Sequence, residues 1–406
     1  LNVKNFRSIF ENPIPGRAVV FFGAGEIATR TAKKFGKPSW SVDNSPSLWG
    51  GSFGEITDIR QPDSISEIAE RVTVVICSSA EDEIRLQLGE FGVQDSDIVL
   101  SPYAKSMASP SRLSNLQSRV LVASGGPASL QEGSGGGLYE VIIDAGIVTQ
   151  RKVFSASCHG ITEGPNNLLL VSTDEGVITV DPMTLKTKNI SQLPAGFRPH
   201  GLAWNPQQDF FHVVGNSRDA ILRFGLDGTH LSTHYLLRGK EENNIALHHM
   251  NDIAYSNGAL YVSMFSFSGS WKSGSYDGGI YAFDADTLEA FGPVVSHARM
   301  PHSVTFSDDE LWFCNSLPGL LTKGDRDFEL AFPTFARGLD FVDDLSFVGA
   351  SRNRNATDAS FKSGAQIREI SSGFFVTVMG NGLSRFVKIE GNIPEIHAVK
   401  LLPMSK

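Results

Sequence analysis

Cysteine is scarce in this 406-residue chain. Only Cys77, Cys158 and Cys314 occur, with no CxxC spacing. An odd, scattered set excludes a disulfide framework and a cysteine-based zinc site, and it suits a reducing, cytoplasmic location. Charge is also sparse, at 19% Asp, Glu, Lys and Arg with a net charge of −9, and there is no long Lys/Arg run. Nucleic-acid binding and adhesion to an anionic membrane both need clustered cations, so neither is expected. No stretch approaches the roughly 18 apolar residues of a membrane span, and no signal-like start is visible. The P-loop, GxSxG and HExxH patterns are missing, which removes support for P-loop phosphoryl transfer, the common serine-hydrolase site and zincin chemistry.

The chain is instead rich in glycine (40) and phenylalanine (27) and 41% hydrophobic. That balance suits a turn-rich β protein with a sizeable core, and the length favours two domains or more. Near the N-terminus, Ala18–Phe22 reads as a buried strand and Gly23-Ala-Gly-Glu-Ile-Ala28 as a glycine turn. A helix over 28–35 follows. A second strand over 39–43 ends on Asp43, about 20 residues after the first glycine, where a Rossmann fold places its ribose-binding carboxylate. Residues 64–71 read as a short helix, and 72–77 and 93–100 as further strands. Gly23, Gly25, Glu26, Ile27 and Asp43 are therefore the candidate nucleotide-contacting residues of an α/β Rossmann-like domain over 1–115. This turn, with Val42-Asp-Asn-Ser-Pro46 and Trp49-Gly-Gly51, resembles the small Rossmann-like domain of sugar-modifying and polysaccharide-biosynthesis proteins over about residues 17–105. The resemblance implies a nucleotide or nucleotide-sugar ligand. NAD(P) used by an oxidoreductase, or a domain that serves only for docking and oligomer assembly, are the other readings.

Residues 102–118 are rich in serine and proline and read as a linker. Beyond them the texture becomes short apolar runs between Gly, Asn, Asp and Pro turns. One pattern recurs, with His, Asn or Arg, then a small or polar residue, then an aliphatic. It occurs as His159-Gly-Ile, His200-Gly-Leu, Asn251-Asp-Ile, His302-Ser-Val and Arg337-Gly-Leu. Intervals of roughly 35–51 residues bracket a four-stranded propeller blade. Val120–Ser124 with Gly137–Ile143 forms a further blade whose first strand is unclear, giving six. The stretches near Phe386–Ile389 and His397–Leu402 complete the last blade or close the ring. An all-β six-bladed β-propeller over 116–406 is thus expected. Its blade grammar is similar to that of the gluconolactonase, SMP-30 and strictosidine-synthase propellers. That resemblance implies metal ligands or catalytic residues at the axis. The group's acid/Asn calcium pattern is matched here at one element, Asn251-Asp252, while other blade starts carry histidine.

First strands line a propeller's axis, so the repeat position builds a ring of His159, His200, Asn251, His302 and Arg337, with His248 and His249 just upstream of Asn251. Histidines converging with an open position suit zinc, iron or a similar divalent transition metal, and His159, His200, His302 and His249 are the candidate ligands. A metal-free site is the alternative, with a histidine base and Arg337 pairing a substrate carboxylate or phosphate. A third reading is a purely structural set of hydrogen bonds. Candidate catalytic residues are His200, His249, Arg337 and Glu163, which sits four residues after His159. Strand-end residues at Ser124–Gly126, Asn216–Arg218, Asn315–Ser316 and 351–353 supply a rim, and Ser266–Gly279 a possible lid, with a second polar insertion over 352–362. The expected function is a metal-dependent enzyme that hydrolyses, eliminates from or isomerises a small polar metabolite. The competing reading is a non-catalytic ligand- or protein-binding propeller with a Rossmann-like sensor.

Overall fold

A computed structural model describes residues 3–131, 133–236, 246–325, 330–351, 371–379 and 382–404. The chain divides into two compact units, Leu1–Ser114 with Val378–Leu383, and Asn115–Thr377 with Ser384–Lys406.

The first unit is built on a five-stranded sheet. Its spatial order is Ile59–Arg60, Trp40–Val42, Ala18–Phe22, Val72–Ile76, Ile98–Leu100, or 3-2-1-4-5 in chain order, and every neighbouring pair is parallel. Strands buried on both faces are near-continuously apolar, as Ala18–Phe22 and Val72–Ile76 are. The helix Glu26–Phe35 begins at the glycine turn. The expected helix over 64–71 is a kinked one, Pro62–Arg71, broken at Ile68, and the strand expected over 93–100 narrows to Ile98–Leu100.

The expected linker over 102–118 is not a linker. Pro102–Ser114 is a helix and Gln117–Ser124 a strand. Proline is well tolerated in a first helical turn, and Ala104 and Leu113 are buried. Burial of a sparse apolar face outweighs the weak helix preference of serine.

The second unit is six four-stranded antiparallel sheets. Their innermost strands are Ala398–Leu402, Cys158–Glu163, Pro199–Trp204, Met250–Ser256, Pro301–Ser307 and Phe335–Val342, each packed on the next around a closed ring. The unclear first strand of the first blade is Ala398–Leu402, which pairs with Gln117–Ser124 from Ala398↔Ala123 to Leu402↔Arg119. The C-terminal strand thus completes the first blade and closes the ring, in which only short, protected edges remain. Asp181, Asp227 and Asp284 cap the tight turns through backbone N–H groups of residues two or three positions on, which is why the blades share an Asp-centred ending.

The recurring His/Asn/Arg-small-aliphatic pattern is a β-bulge. In four blades the first two residues of the pattern oppose a single residue of the next strand. His159-Gly160 face Ser172, His200-Gly201 face Val214, Asn251-Asp252 face Ser263 and Arg337-Gly338 face Gly349. A bulge re-aims its side chain and sharpens the twist, and here it turns the first residue toward the axis. The second residue must be small where blades converge, since a Cβ on Gly201 would lie 2.7 Å from the Asp252 Cα of the next blade. Hydrogen bonds at these bulges stitch successive blades. Ser303 N donates to Asp252 Oδ2 (2.7 Å), Gly338 N to Ser303 Oγ (2.6 Å) and Leu401 N to Asp340 Oδ2 (2.8 Å).

A charge cluster with Arg119 and Glu140 buried and Arg151 exposed guards the closing seam. Arg119 Nε and Arg151 Nε each donate to one Glu140 oxygen at 2.5 Å. Arg119 also donates to the carbonyls of Pro182 (2.6 Å) and Pro403 (3.3 Å), tying the first blade to the second and to the chain after the closing strand. Burial alone would raise the Glu140 pKa, but the hydrogen bonds from Arg151 and Arg119 hold it below 4.5. Its stabilisation is therefore present above the usual glutamate range and is lost as pH falls through the depressed value. Glu140→Gln strips Arg119 of its counter-ion and should cost about 3–5 kcal/mol in chemical denaturation at pH 7. The loss should shrink at pH 3; a deficit unchanged at that pH would contradict the electrostatic account.

Candidate functional site

The bulges deliver His159, His200, Asn251 and Arg337 to the axis in the expected ring. In the fifth blade the bulge falls one residue later, at Ser303-Val304, and His302 stays in register with Cys314. Its ring is accordingly turned. Nδ1–H donates to Met300 O, and Ser316 Oγ is also 2.8 Å away.

The sixth ring position is His397, immediately before the closing strand, where its backbone N–H donates to Ala123 O. Sequence reading missed it. The signal was present, because His397-Ala-Val repeats the blade-start pattern, but this residue belongs to the first blade and comes last in the chain. Its ring needs the room left at Gly125, where a Cβ would lie 2.3 Å from Nε2.

His159, His200 and His397 form the cluster at the centre. All three are buried, and one nitrogen from each lies within 4.8 Å of the others. His159 stacks on His200 with centroids 4.8 Å apart, and His397 meets His159 at 4.7 Å. Each flanking histidine is held by a carboxylate: His159 Nε2 to Asp174 Oδ1 and His397 Nε2 to Glu395 Oε2, both at 2.8 Å. Nε2 is then the donor in both rings, which leaves Nδ1 as a lone pair in both. Those two Nδ1 atoms face one another at 3.0 Å. Two lone pairs at that distance repel unless a cation lies between them. His200 accepts at Nδ1 from Arg337 Nη2 (3.3 Å), while its buried Nε2 has no partner among the described residues.

The rings are neutral near pH 7. Burial lowers His159 despite Asp174, and it takes His200, His302 and His397 well below 6.5, with Arg337 adding to each. Burial and then Arg337 bring His249 to about 3. His249 adopts φ +50°, and its ring lies against Phe265 (4.2 Å) and Trp271 (4.6 Å), with its centroid 6.3 Å from that of His200. The segment is fixed by Asp219, which accepts from the backbone N–H groups of Leu247, His248 and Met250. His248 itself donates from Nδ1 to Ser266 O.

His200, His249, His302, Arg337 and His397, with Arg198 at the rim, line a cavity of about 180 Å³ whose apolar wall is Phe265, Met300 and Phe335. Of the expected metal ligands, His159 and His200 thus join the central cluster, while His302 and His249 stand in the cavity wall. Asn216 and Ser351 also line the cavity; residues 352–362 lie outside the described residues. The expected lid is held at its ends by Ser266 Oγ donating to Asp277 Oδ1 (2.5 Å), and its Trp271 packs against His249. Glu163 does not reach the histidines. Four strand residues span about 13 Å from His159, and Glu163 lines a second cavity of about 580 Å³, which shares His397 with the first, and pairs with Lys400 at 3.1 Å.

In the parallel-sheet unit, Gly23, Gly25, Glu26, Ile27 and Asp43 line a cleft of about 380 Å³ with Ser78, Ser79 and Tyr103. Asp43 accepts from the N–H groups of Ala24 and Ser45, both at 2.8 Å. All three cysteines are buried and unpaired; burial pushes the Cys77 thiol up to about 12 and raises the other two. Among the described residues no helix is long and apolar enough to cross a membrane.

Residues 242–406 match a domain of unknown function, DUF4915. No curated protein matches the chain. Among solved structures, a nidogen/laminin complex is similar at 9% identity and a TM-score of 0.50, covering 70% of this chain and 98% of that one. A protein of unknown function from Bacteroides caccae is 12% identical with a TM-score of 0.47, covering 71% and 100%. One from Lactobacillus plantarum is 12% identical at 0.45, with the same coverage. At such identities the likeness is one of fold.

The folded axis histidines bind protons less readily than unfolded ones. Their contribution to stability is therefore complete above about pH 6.5 and is lost as pH falls below it. Denaturation at pH 7.5 and 5.5 should show a stability loss on acidification, and the imidazoles of His200, His249, His302 and His397 should show no NMR titration near pH 6.5. Any of these four titrating near 6.5 would contradict the assignment.

Proposed function

We propose that the protein is a metal-dependent enzyme whose propeller axis binds a divalent transition metal through His159, His200 and His397 and acts on a small polar metabolite. One observation carries this reading. Two carboxylate-backed imidazoles point their lone pairs at each other 3.0 Å apart, beside a third histidine whose buried Nε2 has no partner among the described residues. Carboxylates on the outer nitrogen are the usual support of metal-ligating histidines. The 3.0 Å separation fits two nitrogens bound at about 2.0–2.1 Å and subtending roughly a right angle. A metal there would supply a Lewis acid and an activated water for hydrolysis, elimination or isomerisation. Asp174 and Glu395 fix the tautomers of His159 and His397; ligation through Nε2 of His200 would put that ring's proton on Nδ1 and end its hydrogen bond from Arg337, and His249 and His302 offer neutral imidazoles to a substrate in the cavity.

The parallel-sheet unit is read as a Rossmann-like domain that takes a nucleotide or nucleotide-sugar. Supporting this are the strand order 3-2-1-4-5 and a glycine turn at the strand ends, where that order reverses.

Metal analysis of protein carrying no His-tag should find one transition-metal ion per chain, with X-ray absorption showing nitrogen scatterers at about 2.0–2.2 Å. His397→Ala should abolish binding, and Glu395→Gln should weaken it by about 10–100-fold. Full occupancy in His397→Ala would sink the proposal. Separately, titration with UDP should saturate in the wild type and fail in Gly25→Trp, whose indole would fill a position with no atom within 4 Å of its Cβ. Equal binding by both proteins would remove the cleft from consideration.

A further inference from the structure

We infer that the axis cavity selects small carboxylates, with Arg198 as the specificity-determining residue at its rim. The inference rests on the axis being the substrate site, as proposed above. Its support is the distribution of charge at this mouth. The acids there are already committed: Asp174 to His159, Glu395 to His397, and Asp277 to Ser266 and Ser268 of the loop beside it. Arg337 shares Glu395, with Nη1 4.0 Å from Oε2. Arg198 lines the cavity and makes no ion pair or side-chain hydrogen bond among the described residues. Lys272, on the loop, likewise has no ion pair there and lies over the Trp271 ring at 5.6 Å. The wall is otherwise neutral imidazole, amide and hydrocarbon. An anion entering this mouth meets Arg198, whose nearby acid Asp174 is already bonded to His159, with the Lys272 charge close to His249 and the Arg337 guanidinium at depth. Such fields raise anion capture and weaken with salt.

Size and shape narrow the class. A volume of about 180 Å³ is well below the usual 300–1,000 Å³ of drug-sized sites. Guanidinium groups match a planar carboxylate through two parallel N–H donors. Phosphate sites characteristically collect backbone N–H groups at helix N-termini or anion nests. The described helices of this unit are two single turns, Pro165–Asn167 and Trp271–Ser273, and neither is among the cavity-lining residues. Phe265, Met300 and Phe335 offer a face for a short hydrocarbon tail.

Calorimetric titration of metal-loaded protein with lactate, lactamide and inorganic phosphate tests this. Lactate should bind with submillimolar affinity that weakens as salt is raised, and lactamide should not bind. Arg198→Ala should weaken lactate at least tenfold while leaving metal content unchanged. Lactate affinity indifferent to Arg198→Ala, or equal binding of lactamide, overturns the inference, and phosphate binding as tightly as lactate overturns the carboxylate assignment. Protein that takes up no metal refutes the metal reading instead. Lactate titrated into that metal-free protein then decides the anion site by itself: Arg198-dependent binding upholds it, and its lack overturns it.

Discussion

The pairing of Ala398–Leu402 with Gln117–Ser124 is the constraint on which the rest of the propeller depends. A ring of packed sheets has no stable open form, because an unclosed ring leaves the apolar faces of its first and last blades uncovered. The strand from the far end of the chain completes the first blade and packs between its neighbours, Phe335–Val342 and Cys158–Glu163, which covers both faces. The same step places His397 beside His159, 238 residues away in sequence. Closure of the fold and completion of the central cluster are one event, and the Arg119–Glu140–Arg151 cluster sits on that seam.

The bulge at the start of the inner strands is the second device. A regular antiparallel strand alternates its side chains between faces, so one position per strand would not be specially aimed along an axis shared by six blades. Opposing two residues to one breaks the alternation locally and frees the first side chain to turn inward. His302 shows the sensitivity of the device. Its bulge comes one residue late, and its Nδ1 is spent on Met300 O beside Ser316, outside the central cluster.

Burial then decides the electrostatics. Desolvation keeps the axis imidazoles neutral, and the cationic guanidinium of Arg337 reinforces this. Neutral rings keep lone pairs, and the two carboxylates choose which nitrogen carries them. A protonated cluster would be a repulsive knot of positive charge, whereas a neutral one is a set of ligands. The acids of the larger cavity serve a different purpose, since Asp252 and Asp340 accept backbone N–H groups that join blades.

Much of this was legible from local pattern. Strand period, Asp-centred turns, the blade repeat and five of the six ring residues are short-range properties of sequence, as were the glycine turn and Asp43 of the parallel unit. The helix Pro102–Ser114 was not, because its preference came from burial of Ala104 and Leu113 and not from composition. His397 matched the repeat but lay outside its order, and Glu163 lay at the right spacing on the wrong end of a strand. The amino-acid sequence by itself determined that histidines recur at the bulges of a closed β ring. Only the tertiary structure decided which three converge, which nitrogens they present and which carboxylates back them. Those choices depend on contacts between residues from 2 to 238 positions apart and on one-residue differences in register, and neither leaves a periodic trace along the chain.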